Sequence, residues 1–313
     1  PLIFHFISQY YSYICMMLII SEMKNRIFTI LMAAILIFIG CGEENTGIHD
    51  PVEPDETGIP EIPADPQKEN TSFTHRIMLL QHTGTYCPNC PTLMSSLKEV
   101  AEDKAYSDKY HHVAAHSYNQ DGEGDAAYST AAANLSQAFC SGYYPELTFN
   151  LTTLSTGTSI EASAIRSKID QLHKDSADAG IAASTKISDG YLNVAVETKV
   201  AKENLYRIAV WLLEDDIESE QDGATEEWQH IHDNAVRAMA GETLNLRIYG
   251  SKTRTLLPGE KADKAFSIKL EDGWNLDNCK VLILVNAADR DGRYDLVNCA
   301  ICPIDGSITY DYK

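Results

Sequence analysis

Three cysteine-bearing segments of this chain could do chemistry. Cys87-Pro88-Asn89-Cys90 sets two thiols three residues apart. At that spacing a thiolate on the first cysteine can attack a disulfide, and the second can resolve the mixed disulfide that forms. The same spacing also serves as half of a zinc site, which needs two further ligands, or as a static disulfide. Cys299-Ala300-Ile301-Cys302 offers a second pair. It lies in an apparent strand, however, where residues three apart point to opposite faces. Cys140 reads as a buried thiol, with a regulatory role toward the dithiol as the alternative. His230-Ile231-His232 could supply two ligands if extended, but no third stands nearby, and both read as ordinary surface or structural histidines. The acidic groups at 121–125 and 289–291 lack a calcium-loop pattern and read as turns. No metal site and no cofactor is expected.

The elements around the first pair give its chemistry a reason. Residues from His75 read as an apolar strand, a Thr/Gly turn, and then the two cysteines. From Pro91 to Ala101, Leu93, Met94, Leu97 and Val100 recur at helical spacing. The pair therefore sits at a helix N-terminus, where the dipole and free N–H groups favour a thiolate on Cys87, and Pro88 suits the first turn. A strand over His111 to Ala115, a helix over Ala126 to Phe139, a strand from Pro145 and a helix over Ile160 to Leu172 follow. This alternation predicts parallel pairing with right-handed crossovers. Pro145, opening a short apolar strand after the second helix, stands where thioredoxin folds keep a cis-proline beside their dithiol.

On these residues the chain resembles a known family. His82-Thr83-Gly84-Thr85-Tyr86-Cys87-Pro88-Asn89-Cys90-Pro91 is similar to the Thr-Gly-x-aromatic-Cys-x-x-Cys-Pro signature of outer-membrane protein 28-related lipoproteins of Bacteroidetes. Gln221 and the segment His232-Asp233-Asn234-Ala235-Val236-Arg237 echo another part of that family. The resemblance implies an α/β thioredoxin-like domain followed by an all-β sandwich domain. It also implies thiol-disulfide exchange with Cys87 attacking, Cys90 resolving, Pro145 shaping the groove and Tyr86 covering the site. Protein thiols or disulfides would be the substrates. The chain departs from the pattern twice. Leu80, Gln81 and His82 stand where acidic residues are usual, so the carboxylate that would assist Cys90 is missing, and His82 reads as a solvated strand-end residue. Glu146 follows the proline, and its charge would oppose a nearby thiolate. The alternative function is a surface binding or structural lipoprotein that keeps the fold as a scaffold around a static disulfide.

From about Ile181 the pattern turns to strands, eight of them, as in an immunoglobulin or fibronectin sandwich. Leu192, Val194 and Val196 alternate with Asn193, Ala195 and Glu197, the period of a half-buried strand, and Tyr206, Ile208, Val210 and Leu212 repeat it. The insertion from Ile217 to Glu242 is acidic and partly helical in composition, a candidate contact for an envelope protein partner. Around the turn at Asp289–Gly292, pairing Asp289 with Arg293 puts Cys299 opposite Ile283 and Cys279 opposite Pro303. A slip of one residue would instead set Cys279 against Cys302.

Targeting and charge complete the expectations. Met23-Lys24-Asn25-Arg26 and the apolar run Ile27 to Ile39 have the proportions of a signal peptide and are too short to span a bilayer. Phe38-Ile39-Gly40-Cys41 resembles a lipobox, which makes Cys41 a lipid-bearing terminus and anchors the protein to a membrane. Residues 1–40 are then upstream sequence and leader, with Met23 the start. Residues 42–70 hold five of the 11 prolines and nine Asp/Glu against a single Lys, the composition of a solvated tether that follows Cys41. Glu43-Glu44 resembles an outer-surface signal. The folded parts are expected at 71–180 (thioredoxin-like) and 181–313 (β-sandwich). A net charge of -20 argues against a nucleic-acid partner, since phosphate binding rests on Lys and Arg. The protein is expected in the bacterial envelope, at the outer membrane.

Overall fold

The computed structural model describes residues 48–49, 58–119, 121–155, 160–241, 243–245 and 248–313. The leader, Cys41 and about half of the acidic tether lie outside the described residues. Among the described residues no helix is long and apolar enough to cross a membrane.

The first half alternates as the periodicity predicts. Strand β1 (Ile77–Thr83) leads into helix α1 (Cys90–Glu102), then β2 (Tyr110–His116), α2 (Thr130–Phe139), β3 (Glu146–Phe149), β4 (Thr153–Ser155) and α3 (Ala162–Leu172). β1 pairs with β2 in parallel, as the alternation predicts, but with β3 antiparallel, against that prediction, because a further strand, β4, follows β3 as an antiparallel hairpin before α3. Because β1 alternates its side chains between two faces, it organises two cores. Ile77 and Leu79 pack with Leu93, Leu97 and Val100 of α1 and with Ile165 and Ile169 of α3. Met78 and Leu80 pack with Ala131, Ala132 and Leu135 of α2 on the opposite side. Ser129 caps α2, its hydroxyl accepting from the Ala132 N–H.

The second half contributes β5 (Ala179–Ser188), β6 (Tyr191–Val200), β7 (Asn204–Glu214), β8 (Ala235–Ala240), β9 (Ser251–Leu256), β10 (Lys261–Lys269), β11 (Cys279–Ala288), β12 (Tyr294–Pro303) and β13 (Ser307–Ile308). β10, β6, β5 and β13 form one antiparallel sheet. β12, β11, β7 and β8 run on through β2 and β1 to β3 and β4, so the α/β part and the antiparallel part share one mixed sheet. The join is narrow: Ala235 pairs with Ala114, and the Ala114 N–H donates to the Asn234 carbonyl. The two sheets face each other across Leu192, Val194, Val196, Tyr206, Ile208, Val210, Leu212, Val281 and Ile283, in the manner of a sandwich.

Several expectations are corrected by this packing. β7 is not half-buried: Ala209, Trp211 and Leu213 on its other face join the α2 core. A strand covered on both faces reads as a near-continuous apolar run, and Ile208-Ala209-Val210-Trp211-Leu212-Leu213 is such a run. The insertion, read as partly helical, holds one short 3₁₀ turn at Glu227–His230, and its C-terminal part is strand β8, which the strand pattern does not include. The part of the acidic stretch from residue 58 onward is packed rather than solvated. Ser184 donates to the Glu61 carbonyl, and Asp65 accepts from Lys199 and Tyr312. In the β11–β12 hairpin the pairing near the turn is as expected, with Ala287 opposite Asp295, but the register shifts between Val285 and Asn286. Beyond it Cys299 faces Leu284 and Cys302 faces Val281, while Cys279 pairs with Glu214 of β7. The slip runs opposite to the one that would join Cys279 to Cys302, and Cys279, Cys299 and Cys302 are free thiols. Cys299 lies in the α2 core and Cys302 in the inter-sheet core, on opposite faces of β12.

Candidate functional site

Cys87 and Cys90 are joined in a disulfide at the start of α1. The helix begins at Cys90, capped by Asn89, so Pro91 rather than Pro88 occupies its first turn. Ahead of it the chain makes two tight turns: the Cys87 N–H donates to the Gly84 carbonyl, and the Cys90 N–H to that of Cys87. The Tyr144–Pro145 peptide is cis. β3 begins at Glu146 opposite His82, so Pro145 lies just past the end of that pairing, alongside the turn that leads from β1 to Cys87.

Pro88 and Asn89 are exposed, but the sulfurs are not: Cys87 is 1% exposed and Cys90 fully buried. The cover comes from the far part of the chain. Gln221 Nε2 donates to the carbonyls of Thr85 and Cys87, at 3.0 Å each, and the Asp222 N–H donates to Thr85 at 2.7 Å. Gly223, with φ 75°, comes so close that a Cβ there would sit 2.2 Å from the Pro88 carbonyl oxygen. Gln229 Nε2 donates to the Pro91 carbonyl, and Lys98 of α1 lies over the Trp228 ring at 4.3 Å. The 221–229 segment thus roofs the dithiol loop. Tyr86 is 44% exposed and leans on the turn at Gly124, where a Cβ would meet its hydroxyl at 2.1 Å.

The polar surroundings differ from expectation. His82 is fully buried, not solvated, with Nδ1 at 2.9 Å from Ser136 Oγ and Nε2 at 3.1 Å from Thr148 Oγ1. Burial pushes it down to about 3, so it stays neutral at pH 7. Glu146 is buried as well, and its carboxylate accepts from the Ser141 N–H and hydroxyl. Cys140 is half-exposed rather than buried; partial desolvation and the Glu146 charge raise its thiol.

A histidine–carboxylate group missed in the sequence lies behind the loop. Asp125 accepts from the Thr85 N–H at 3.0 Å and sits 3.1 Å from His116 Nδ1, both side chains buried. Burial would raise Asp125, but His116 and the Thr85 and Ala127 N–H groups overcome it and hold the carboxyl at about 2. The His116 ring meets His232 edge to face at 4.8 Å, and His232 Nε2 donates to the Ser219 carbonyl. The residues come from β2, a turn and the short extended pair Ile231–His232 that follows the roof segment, three places with no common spacing. Of the resemblance-derived residues, Cys87 and Cys90 are joined, Gln221 bonds the Cys87 carbonyl, Pro145 precedes β3 where its pairing with β1 ends and His232 packs on His116, whereas Cys41 lies outside the described residues. Among the described residues, no group of three or more His, Cys, Asp or Glu could hold a metal ion.

No curated protein matches the chain. Among solved structures, HBP35 of Porphyromonas gingivalis is similar over 75% of this chain and 77% of its own, at 16% identity and a TM-score of 0.58, which shows a shared fold. A domain of the outer membrane lipoprotein Omp28 from Porphyromonas gingivalis covers 41% of this chain and 89% of its own, with 16% identity and a TM-score of 0.29, too low to bear on the fold. The profile of the outer membrane protein Omp28 family matches residues 142–301, just over half of the chain and including cis-Pro145, Gln221 and His232. The chain belongs to the Omp28 family of outer membrane proteins.

Proposed function

We propose that this outer membrane protein is a lipoprotein anchored through Cys41, with a thioredoxin-like domain over residues 71–180 and a β-sandwich over 181–313, and that Cys87–Cys90 carries out thiol-disulfide exchange. The observation that carries the reading is the disulfide at the N-terminus of α1 beside cis-Pro145, with β1 flanked by a parallel and an antiparallel neighbour. In the oxidising direction a substrate thiolate attacks Cys87 Sγ, the Cys87–Cys90 bond breaks and Cys90 leaves as the thiolate. A second substrate thiolate then attacks the mixed disulfide. The substrate leaves as a disulfide, and two electrons and two protons remain on the cysteines. The reverse sequence reduces a substrate disulfide. Dipole and N–H groups at the α1 N-terminus favour the thiolate forms, and lifting the 221–229 segment admits the substrate.

The test is the reduction potential together with trapping: Cys90→Ser should accumulate mixed disulfides with envelope proteins. A potential well below about -300 mV, where structural disulfides lie, with no trapped partner, rejects the reading. A second reading, a static disulfide in a surface binding scaffold, is favoured by the burial of both sulfurs under Gln221; that same result would establish it. The anchor is tested separately. Cys41→Ala should release the protein from membranes, and protease shaving of intact cells should cleave it if Glu43-Glu44 directs it outward.

A further inference from the structure

The face of β1 that packs on α1 is apolar at Ile77 and Leu79 but carries Gln81 and Thr83 at its C-terminal end. These two line a groove of about 660 Å³ between α1 and the 228–234 segment. Both are more than nine-tenths buried, yet Gln81 Nε2 and Thr83 Oγ1 have no hydrogen-bond partner. The orientation of the Gln81 amide follows from its neighbours. Asn234 Nδ2 donates to His112 Nδ1 at 3.4 Å, so the ring carries its proton on Nε2 and donates it to Gln81 Oε1 at 3.0 Å. The amide N–H groups are what remains, and a buried donor left unmet is destabilising.

Met94, Leu97 and Trp228 give the groove an apolar wall. Its charged lining residues, Lys98 and Asp233, are of opposite sign. Burial holds His112 and His232 at about 4, so both are neutral at pH 7. His116, also on the lining, is paired with the buried Asp125 carboxylate at 3.1 Å, so the floor offers no uncompensated positive charge. An anion bound there would lose its hydration without a compensating charge.

We propose that this groove binds a small uncharged molecule with a carbonyl acceptor on a flat apolar body, the carbonyl taking hydrogen bonds from Gln81 and Thr83 and the body lying against Trp228 and Leu97. The volume falls in the range of small-molecule pockets. Binding there uses neither Cys87 nor Cys90, although Trp228 belongs to the 221–229 segment that roofs them. The test is titration calorimetry on the intact protein with N-acetylphenylalaninamide and with N-acetylphenylalanine, which has the same body but is anionic. The amide should bind saturably and the acid at least about tenfold more weakly. Gln81→Met should weaken amide binding about tenfold. Trp228→Ala, on the half-exposed wall, keeps the test valid if Gln81→Met does not fold, and should weaken both probes. The proposal is overturned if neither probe binds, if the acid binds as well as the amide, or if folded Gln81→Met or Trp228→Ala binds like the parent.

Discussion

Two buried polar assemblies in this protein have opposite bookkeeping. Lys199, fully buried on β6, donates from Nζ to Asp65, to the Gln67 and Lys68 carbonyls and to the Tyr312 hydroxyl, and Asp65 also accepts from Tyr312. Every ammonium proton has an acceptor, and the cluster ties residues 65–68 and the C-terminal Tyr312 onto the β-sandwich. On the groove floor, Gln81 and Thr83 are as buried and hold unmatched polar atoms. A satisfied polar cluster specifies a fold; an unsatisfied one in an open groove marks a surface that something else completes.

The contrast can be broken most forcefully at the satisfied cluster. Lys199→Met should destabilise the protein by up to about 3–5 kcal/mol, because it removes the fully buried ammonium and leaves the buried Asp65 carboxylate only the partly exposed Lys261, 3.3 Å away. Denaturant unfolding would measure it, and adding Asp65→Leu should recover a large part of the loss. A loss below about 1 kcal/mol would mean the pair is dispensable.

Acid should act next, through the histidines. His75 and His232 are buried and held at about 4, and His82 at about 3, mainly by desolvation. Their folded values lie below the ordinary 6.5, so their neutral burial imposes no penalty above pH 6.5. Stability then falls as pH drops from 6.5 toward 4, where the unfolded chain binds protons that the folded chain refuses, by on the order of 2–3 kcal/mol for each such group. Melting temperature against pH would show the decline, and His82→Asn should flatten part of it. The Asp65 carboxyl gives a later loss. Burial opposes its ionisation, but Tyr312, the Gln67 N–H and Lys199 hold it below the usual range, so its contribution persists above about pH 4 and fails only in stronger acid.

The smallest stability effect should come from the unsatisfied floor. Gln81→Met removes no protein bond except the one accepted from His112, so it should cost within about 1–2 kcal/mol, well under Lys199→Met. Gly223→Ala probes access instead. Its Cβ meets the Pro88 carbonyl in a left-handed backbone, so the roof must shift. Reduction of Cys87–Cys90 by dithiothreitol, followed by thiol alkylation, should quicken several-fold; an unchanged rate would mean the roof does not control access.

Local signals carried the first half well. α1 extends one residue beyond its predicted bounds at each end, α3 begins two residues late, and the position of Pro145 relative to the dithiol follows from element order. α2 was drawn four residues too long because Ala126 to Ser129 have helix-compatible types, whereas Ser129 caps the helix and Asp125 serves the Thr85 turn. In the second half the strand periods at Leu192–Val196 and Tyr206–Leu212 appear as β6 and β7, but β8 lies inside the segment read as an acidic insertion. Its six residues, Ala235-Val236-Arg237-Ala238-Met239-Ala240, lack the β-branched alternation of an independent strand and gain their pairing from β7, from β2 and from Ile48–His49, all distant in sequence.

What the sequence determined by itself is whatever depends on neighbours along the chain: the Cys-x-x-Cys spacing, the apolar faces of α1 and α3, the strand periodicity, the hairpin turn and the charged, proline-rich segment after Cys41. What the tertiary structure decided is whatever depends on partners far apart in sequence. Gln221 reaches Cys87 across 134 residues and Lys199 reaches Asp65 across 134, and His82 is buried by α2 and β3 rather than solvated. The physical reason is that burial and hydrogen-bond satisfaction are properties of packed surroundings. A glutamine, a lysine or a histidine has the same composition signal whether it is solvated, paired or left with a donor to spare.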